Sequence, residues 1–360
     1  MATPAHSGGM RRRGTRRRGT RRPVTLLLSG GAPHAPLMAG ALASLYDKGK
    51  TFDNIWATGA GALVGLVYIA PKDKAPPEAL RAILEMSIAD PIYRFFPVNY
   101  KVFKKSSPWL RTFELWGQLW KLPGRTDRPG DSYKRLYNDG IDLWTSLMIP
   151  SDLDYSSQGL CASLPFLDDL IKFDQVKEWP GEFVLNAYNI TDRVMEDFDK
   201  TVIDALHVQA ALAAPFVYAP VTIGNKQYSE GAFHDPTNLG KFMERATRQE
   251  LTPQVLVLSD IISHKQLLRP PRNLWDAYGQ SIMTPIVSLA DTHKQIFAHF
   301  QRQRGARFKL IEFRFQVPED LHPYVLNWSY SNMQRLWDIG VEAGEEFFRQ
   351  HGDKLPDVAS

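Results

Sequence analysis

An α/β fold with a mainly parallel central sheet is the expectation for this chain, and three features predict it. Val24–Leu28 is a continuous apolar run ending in Ser29-Gly30-Gly31, the pattern of a strand covered on both faces. A helix-spaced segment, a second strand-like run and a second glycine turn follow within about fifty residues, the alternation of a parallel α/β winding. At 360 residues, 44% hydrophobic and 23% charged, the chain is globular and large enough for one big domain or two, which excludes disorder, collagen and coiled coil for the whole of it.

The chain opens with an arm. Residues 1–22, MATPAHSGGMRRRGTRRRGTRR, nearly repeat RRRGT without apolar periodicity, so charge repulsion and glycine predict disorder there. Eight arginines, Arg11–Arg13, Arg16–Arg18, Arg21 and Arg22, carry the basic excess, since removing them from the formal +4 leaves −4. The basic balance therefore belongs to the arm, and no specific nucleic acid is expected on the body. The arm reads either as an electrostatic anchor, making peripheral membrane contact through Arg11–Arg22 or binding RNA, or as a tail without a dedicated partner. A start of translation at Met10 or later is a variant of the second reading. As a secretory or twin-arginine signal the segment is poor, because the apolar run Val24–Leu28 is too short for an h-region and meets glycines at once. The uncharged stretch Ala57–Pro71 falls short of the ~20 residues a spanning helix needs. One cysteine, Cys161, removes disulfide frameworks and Cys-rich metal sites and fits a reducing compartment, so a cytoplasmic location, peripheral to membrane at most, is expected.

From Pro36 to Tyr46 the residues Leu37, Ala41, Leu42 and Leu45 recur at helical spacing, and Lys48-Gly49-Lys50 supplies a basic, glycine-marked stop. A second strand fits Asn54–Thr58 and breaks directly into Gly59-Ala60-Gly61-Ala62-Leu63, where a small-residue helix begins. Composition changes from Lys72 to Ser151, where Trp109, Trp116, Trp120 and Trp144 mix with Pro and Lys, and a helical insertion over about 73–150 is expected. Sheet-like segments return at Gly181–Ile190 and Gln254–Ser259 with a helix at Ile203–Ala214 between them. Beyond Asn273 the pattern is mostly helical, interrupted by a strand-like run at Arg307–Phe315.

Three blocks carry a family resemblance: LLLSGGAPHAPLMAGALASL (26–45), ATGAGALVG (57–65) and AALAAPFVYAPVTIGNKQYSEGA (210–232). In order and spacing they resemble the patatin-like phospholipases, serine–aspartate acyl hydrolases. The stretch VLNAYNITDRVMEDF (184–198) and the helical tail from Ser281 to Phe348 resemble bacterial patatin-like proteins with a C-terminal extension. The resemblance implies a three-layer α/β domain over 23–265, a mostly helical extension over 266–350, acyl lipid or phospholipid as ligand, and no cofactor or metal, since a serine–acid dyad needs none.

At the chemical positions the chain departs from that pattern. The family's nucleophile elbow, Gly-x-Ser-x-Gly, reads Ala57-Thr58-Gly59-Ala60-Gly61, so Gly59 stands at the serine position. Glycine removes both the nucleophilic oxygen and the strain of the turn. The dyad's Asp-Gly-Gly or Asp-Gly-Ala reads Glu230-Gly231-Ala232, which keeps the charge but extends it by one methylene. The oxyanion loop, Gly-Gly-Gly-x-Arg-Gly, reads Gly30-Gly31-Ala32-Pro33-His34-Ala35; Gly30, Gly31 and Ala32 stand at the oxyanion positions, the amides of Gly31 and Ala32 can face an anion, and Pro33 has no N–H. Three separate departures in one site argue against a sequencing error or an engineered serine removal. A catalytically impaired or inactive acyl-lipid-binding homologue is the first expectation. A hydrolase using Glu230-activated water, or a displaced nucleophile such as Ser29 or Ser229, is the second, and a membrane- or nucleic-acid-associated scaffold relying on the arm is the third.

The remaining candidates point less sharply. His34, His207, His234, His293 and His299 form no His-Glu-x-x-His pattern, and only His234 follows Glu230 closely on one loop. Gly30-Gly31 with Pro33 is neither a dinucleotide fingerprint nor a Walker loop. Leu110, Phe113, Trp116 and Trp120 fall at helical spacing, as a lid or lipid-facing stripe would, although core or cap packing is the commoner use of such a stripe.

Overall fold

The structure, a computed structural model, describes residues 21–31, 34–124, 126, 130–162, 164, 167–248, 251–259, 269–304, 307–318 and 327–358. Arg11–Arg18 of the arm and the Ala32-Pro33 part of the glycine loop lie outside the described residues.

Strand β1 (Val24–Leu28) leads through α1 (Ala35–Asp47) to β2 (Asn54–Ala57) and α2 (Ala60–Ile69). Helices α3 (Pro76–Arg81), α4 (Asp90–Phe95), α5 (Leu110–Gln118) and α6 (Ser132–Met148) follow, then β3 (Gly159–Cys161), α7 (Leu167–Leu170) and α8 (Phe173–Glu178). The chain returns to the sheet with β4 (Glu182–Asn189) and β5 (Val194–Asp199), and continues through α9 (Ala205–Leu212), β6 (Phe216–Tyr218), β7 (Val221–Ile223), β8 (Lys226–Glu230) and α10 (Leu239–Thr247). Its last described elements are β9 (Gln254–Ser259), α11 (Leu274–Arg304), β10 (Phe308–Glu312) and α12 (Tyr330–His351).

Five strands run parallel in the order β10-β9-β1-β2-β4, in registers such as Leu310↔Leu256, Leu26↔Val257, Leu26↔Ile55 and Ile55↔Phe183. Leu26 and Leu28 point into a core shared with α1, α2 and α12, whereas Leu27 joins Trp56, Val184, Phe242, Phe297 and Phe308 on the opposite face. All three leucines are fully buried, each contributing about 1.5–3 kcal/mol relative to exposure. The apolar run is continuous because helices cover both faces, which gives three layers. At the foot of β1, Arg21 makes a bidentate pair with Asp53 at 2.8 and 2.9 Å, and the same carboxylate accepts the Val24 N–H at 2.7 Å.

The far end of the sheet is antiparallel, which the sequence pattern did not indicate. Strand β5 returns along one edge of β4, from Asn189↔Val194 to Val184↔Asp199. The other edge is shared end to end: β2 pairs with Glu182–Leu185 and β8 with Ala187–Asn189. Because β8 is antiparallel to β4, its last residue, Glu230, arrives opposite Ala187 just where β2 has finished opposite Leu185. The C-terminal ends of β2 and β8 thus meet head to head beside Asn186.

Helices α1 and α12 pack closely enough that glycine is required at the crossing. A Cβ on Gly340 would run into the Leu37 carbonyl, and one on Gly344 would lie 2.7 Å from the Ala41 oxygen. Gly140, in α6, has open space around its own Cβ position. Gly340→Ala is expected to lower the urea midpoint, with about 1–3 kcal/mol lost to overpacking, and Gly140→Ala to raise it by up to about 1 kcal/mol through helix propensity. Equal effects at the two positions would contradict the close crossing.

Candidate functional site

The turn between β2 and α2 is the centre of the site. Thr58 is fully buried and donates its N–H to the Leu28 carbonyl at 3.1 Å. Gly59 then takes φ +50° and ψ −131°, a conformation L side chains rarely adopt, and α2 begins at the next residue without a side-chain cap. Helix α2 starts hard against the end of β1, where a Cβ on Gly61 would stand 2.7 Å from both the Leu28 and Ser29 oxygens. Only a short residue permits that approach, and it aims the uncapped helix N-terminus at the space above the sheet.

Glu230 enters that space from β8. Its backbone N–H is held by the Ala213 carbonyl at 2.9 Å. Its Oε1 occupies the place a Cβ on Gly59 would take, and lies 3.6 Å from the Cβ position of Gly30. Ala232 closes the other side: its methyl is 2.6 Å from the Cβ position of Gly30 and 3.2 Å from that of Gly59. Gly231 fits against the Asn186 side-chain oxygen, which leaves no room for a larger residue. The structure therefore brings Gly30, Gly59, Gly61, Glu230, Gly231 and Ala232 into one cluster, with Ala57 at the end of β2 beneath it. Gly31, at φ +126°, lies on the adjoining loop, and its carbonyl accepts the His34 N–H at 3.1 Å. The Gly30 N–H points to the Pro236 carbonyl at 3.4 Å, so it is directed into the protein and not toward the carboxyl of Glu230. Ala32 lies outside the described residues.

The Glu230 carboxyl lies beside the α2 N-cap and interacts electrostatically with Tyr218. Burial alone pushes its pKa up to about 8, and no cation among the described residues pairs with it. A carboxyl pushed up to about 8 is mostly protonated at neutral pH. His234, on the same loop, stacks on Tyr188 with ring centroids 3.6 Å apart, and burial depresses its pKa, which favours the neutral ring.

The other candidates are dispersed. His207 sits 2.7 Å from Asp204, the N-cap of α9. His299 contacts Gln303 one helical turn on. His34 is buried at the start of α1. Ser29 is buried and donates to the Ser259 carbonyl at 2.6 Å, which fixes its hydroxyl within the β1–β9 pair.

A second layer escaped the sequence reading. Asn186 and Asn238, both buried, hydrogen-bond each other behind the Gly231 turn. Asp235 accepts the Lys241 N–H at 2.8 Å and pairs with His293 of α11 at 3.1 Å. Asp197, across β4 from Asn186, has its pKa pushed up to about 6 by burial, with Lys241 and Arg245 pulling the other way. The one available signal was Asn186 itself, a polar residue inside the apolar run FVLNAYN of a buried strand, since such groups need a partner.

Comparison with known proteins follows this geometry. Among solved structures, VipD from Legionella pneumophila resembles the chain at 13% identity and a TM-score of 0.37, over 92% of this chain and 67% of that one. No curated protein sequence matches it. Among the described residues no helix is long and apolar enough to cross a membrane. The family model described as patatin-like phospholipase matches residues 26–243, from β1 through the turn at Gly59 and the Glu230 loop to α10, and this chain accordingly belongs to the patatin-like phospholipase family.

Proposed function

We propose that this protein is an acyl-lipid-binding member of its family that has lost serine-based hydrolysis. One observation carries the reading: at position 59 of the sharp turn after β2 there is no side-chain oxygen, and the Glu230 carboxyl fills the space such a side chain would need. Acyl-enzyme formation requires a nucleophile with a base beside it, and neither Gly59 nor a protonated Glu230 supplies one. What survives is the anion-facing α2 N-terminus, which favours a polarised ester or carboxylate without transforming it. The hydrolase reading through Glu230-activated water asks the carboxyl to act as a base, and burial holds that form back until the pH passes about 8. The serine reading is weakened by the hydrogen bond that commits Ser29 to Ser259.

Contact with a lipid surface fits the insertion. On and beside α5, Leu115, Trp116, Leu119 and Trp120 are exposed, Leu119 at 81%. An exposed aromatic stripe together with the arginine arm would supply two membrane signals, either of which binds weakly alone.

The test is direct. Purified protein incubated with a fluorophosphonate and with short- and long-chain acyl esters is expected to show no labelled serine. Turnover should not exceed the ~10³–10⁴-fold over water that a site without its nucleophile retains, while a fluorescent acyl lipid should bind saturably. Family-scale turnover that Glu230→Gln abolishes would overturn the proposal in favour of the water mechanism. Flotation with anionic vesicles, with and without residues 1–22, is expected to show salt-sensitive binding; insensitivity to salt would remove the electrostatic anchor.

A further inference from the structure

A second site lies where α4, α6 and α12 converge, and none of the Gly59–Glu230 cluster lines it. It is a pocket of about 210 Å³ walled by Pro91, Ser132, Tyr133, Leu136 and Tyr330, with Arg135 lining it. Arg135 is only 3% exposed, and its Nη2 is buried without a hydrogen-bond partner among the described residues. The guanidinium lies over the Tyr330 ring, 3.1 Å from the centroid. Two of the carboxylates nearby hydrogen-bond other groups. Asp139, one helical turn along α6 and the natural partner at that spacing, is paired with Lys101 at 2.5 Å and accepts the Ala89 N–H at 2.7 Å. Asp90 also lines the pocket, but its Oδ1 accepts the N–H and hydroxyl of Ser331 at the start of α12, at 3.2 and 2.7 Å.

A buried guanidinium nitrogen left without an acceptor among the described residues is costly. The surroundings favour an anion further. Arg135 lies in the first turn of the 17-residue α6, whose dipole adds to the guanidinium charge, while the carboxylates of Asp131 at the N-cap and Asp90 on the pocket wall act against it. Ala89, Pro91, Leu136 and the tyrosine rings give apolar wall beside Ser132 and Asp90, and Tyr133 and Leu136 continue onto the surface at 76% and 39% exposure. From this arrangement we infer that the pocket binds a small organic carboxylate, its anionic oxygens on the Arg135 guanidinium and its apolar body against Tyr133, Leu136 and Pro91. A planar guanidinium fork matches a carboxylate, and an apolar body fits these walls better than a fully hydrated inorganic anion does.

Hexanoate is a suitable probe, with 1-hexanol and inorganic phosphate as comparisons, read by titration calorimetry and thermal shift on the full chain. Hexanoate is expected to raise the melting temperature in a concentration-dependent way, hexanol of equal length to do so far less, and phosphate to bind more weakly than hexanoate. Arg135→Gln should weaken hexanoate binding at least tenfold. Because a variant at a buried position can fail for structural reasons, Leu136→Trp provides the second arm: Leu136 is partly exposed, so the substitution fills the pocket mouth while leaving Arg135 in place, and it too should abolish the shift. Hexanoate stabilisation unchanged in Leu136→Trp, hexanol as effective as hexanoate, or phosphate binding with no gain from the chain would each overturn the inference.

Discussion

Gly59→Ser is expected to destabilise the protein, and Gly59→Ser/Glu230→Asp to recover a large part of the loss. Two costs act at position 59. A non-glycine residue at φ +50° and ψ −131° costs about 1–3 kcal/mol. A Cβ there also collides with Glu230 Oε1 and comes within 3.2 Å of the Ala232 methyl and the Gly30 Cα. Shortening the acid by one methylene withdraws the carboxyl from the occupied space and removes the Glu230 part of the second cost, leaving the first and the contacts with Ala232 and Gly30. Urea unfolding of the wild type, both single variants and the double variant closes a thermodynamic cycle, with a coupling of about 1–3 kcal/mol expected for side chains in direct contact. Additive effects would mean that the carboxyl does not fill the place of the missing side chain. The same four proteins report on chemistry: a fluorophosphonate should label the double variant in preference to Gly59→Ser, because only the double variant has room for a serine with an acid beside it.

The second large effect concerns pH. Burial raises the Glu230 carboxyl from 4.5 to about 8 in the folded protein. The folded state therefore holds a proton that the unfolded state releases above about pH 4.5, and stability from this group falls as pH rises through that window. The contribution is fully present below pH 4.5, declines by about 1.4 kcal/mol per unit where the two states differ by a whole proton, and levels off above pH 8. Glu230→Gln, neutral and nearly isosteric, should match the wild type at pH 5 and exceed it by a few kcal/mol at pH 9. Asp197 shifts in the same direction, up to about 6, so the wild-type profile alone mixes both groups, and the difference between wild type and variant isolates Glu230. Parallel urea midpoints from pH 5 to 9 would show that the carboxyl is ionised in the folded protein, and would reopen the base role that the proposed function sets aside.

The central elements were legible because their signals are local. Val24–Leu28 had to be covered on both faces, and Gly59 had to end a strand and open a helix. Strand Phe308–Glu312 was also legible, though shorter than the run Arg307–Phe315, and the helix expected over Ile203–Ala214 occupies Ala205–Leu212 with Asp204 as its N-cap. The antiparallel strands were not legible. Val194–Asp199 and Lys226–Glu230 are short, partly exposed and rich in charge, and they become strands because the edges of β4 offer unpaired backbone groups. Likewise Asn186, Asn238 and the Asp235–His293 pair come from segments far apart in the chain, and no spacing rule joins them.

By itself, the sequence determined which residues stand at the turn after β2 and on the loops beside it: glycine at 59, glutamate at 230, and a glycine loop carrying Pro33. Covalent identity fixes what atoms are available, and no packing can return an oxygen to a glycine. Only the tertiary structure decided what those atoms do. The ends of β2 and β8 share one edge of β4, so Glu230 is driven into the space beside Gly59, away from every described cation. That enclosure, and not the residue type, pushes the carboxyl up to about 8 and makes it an acid at neutral pH.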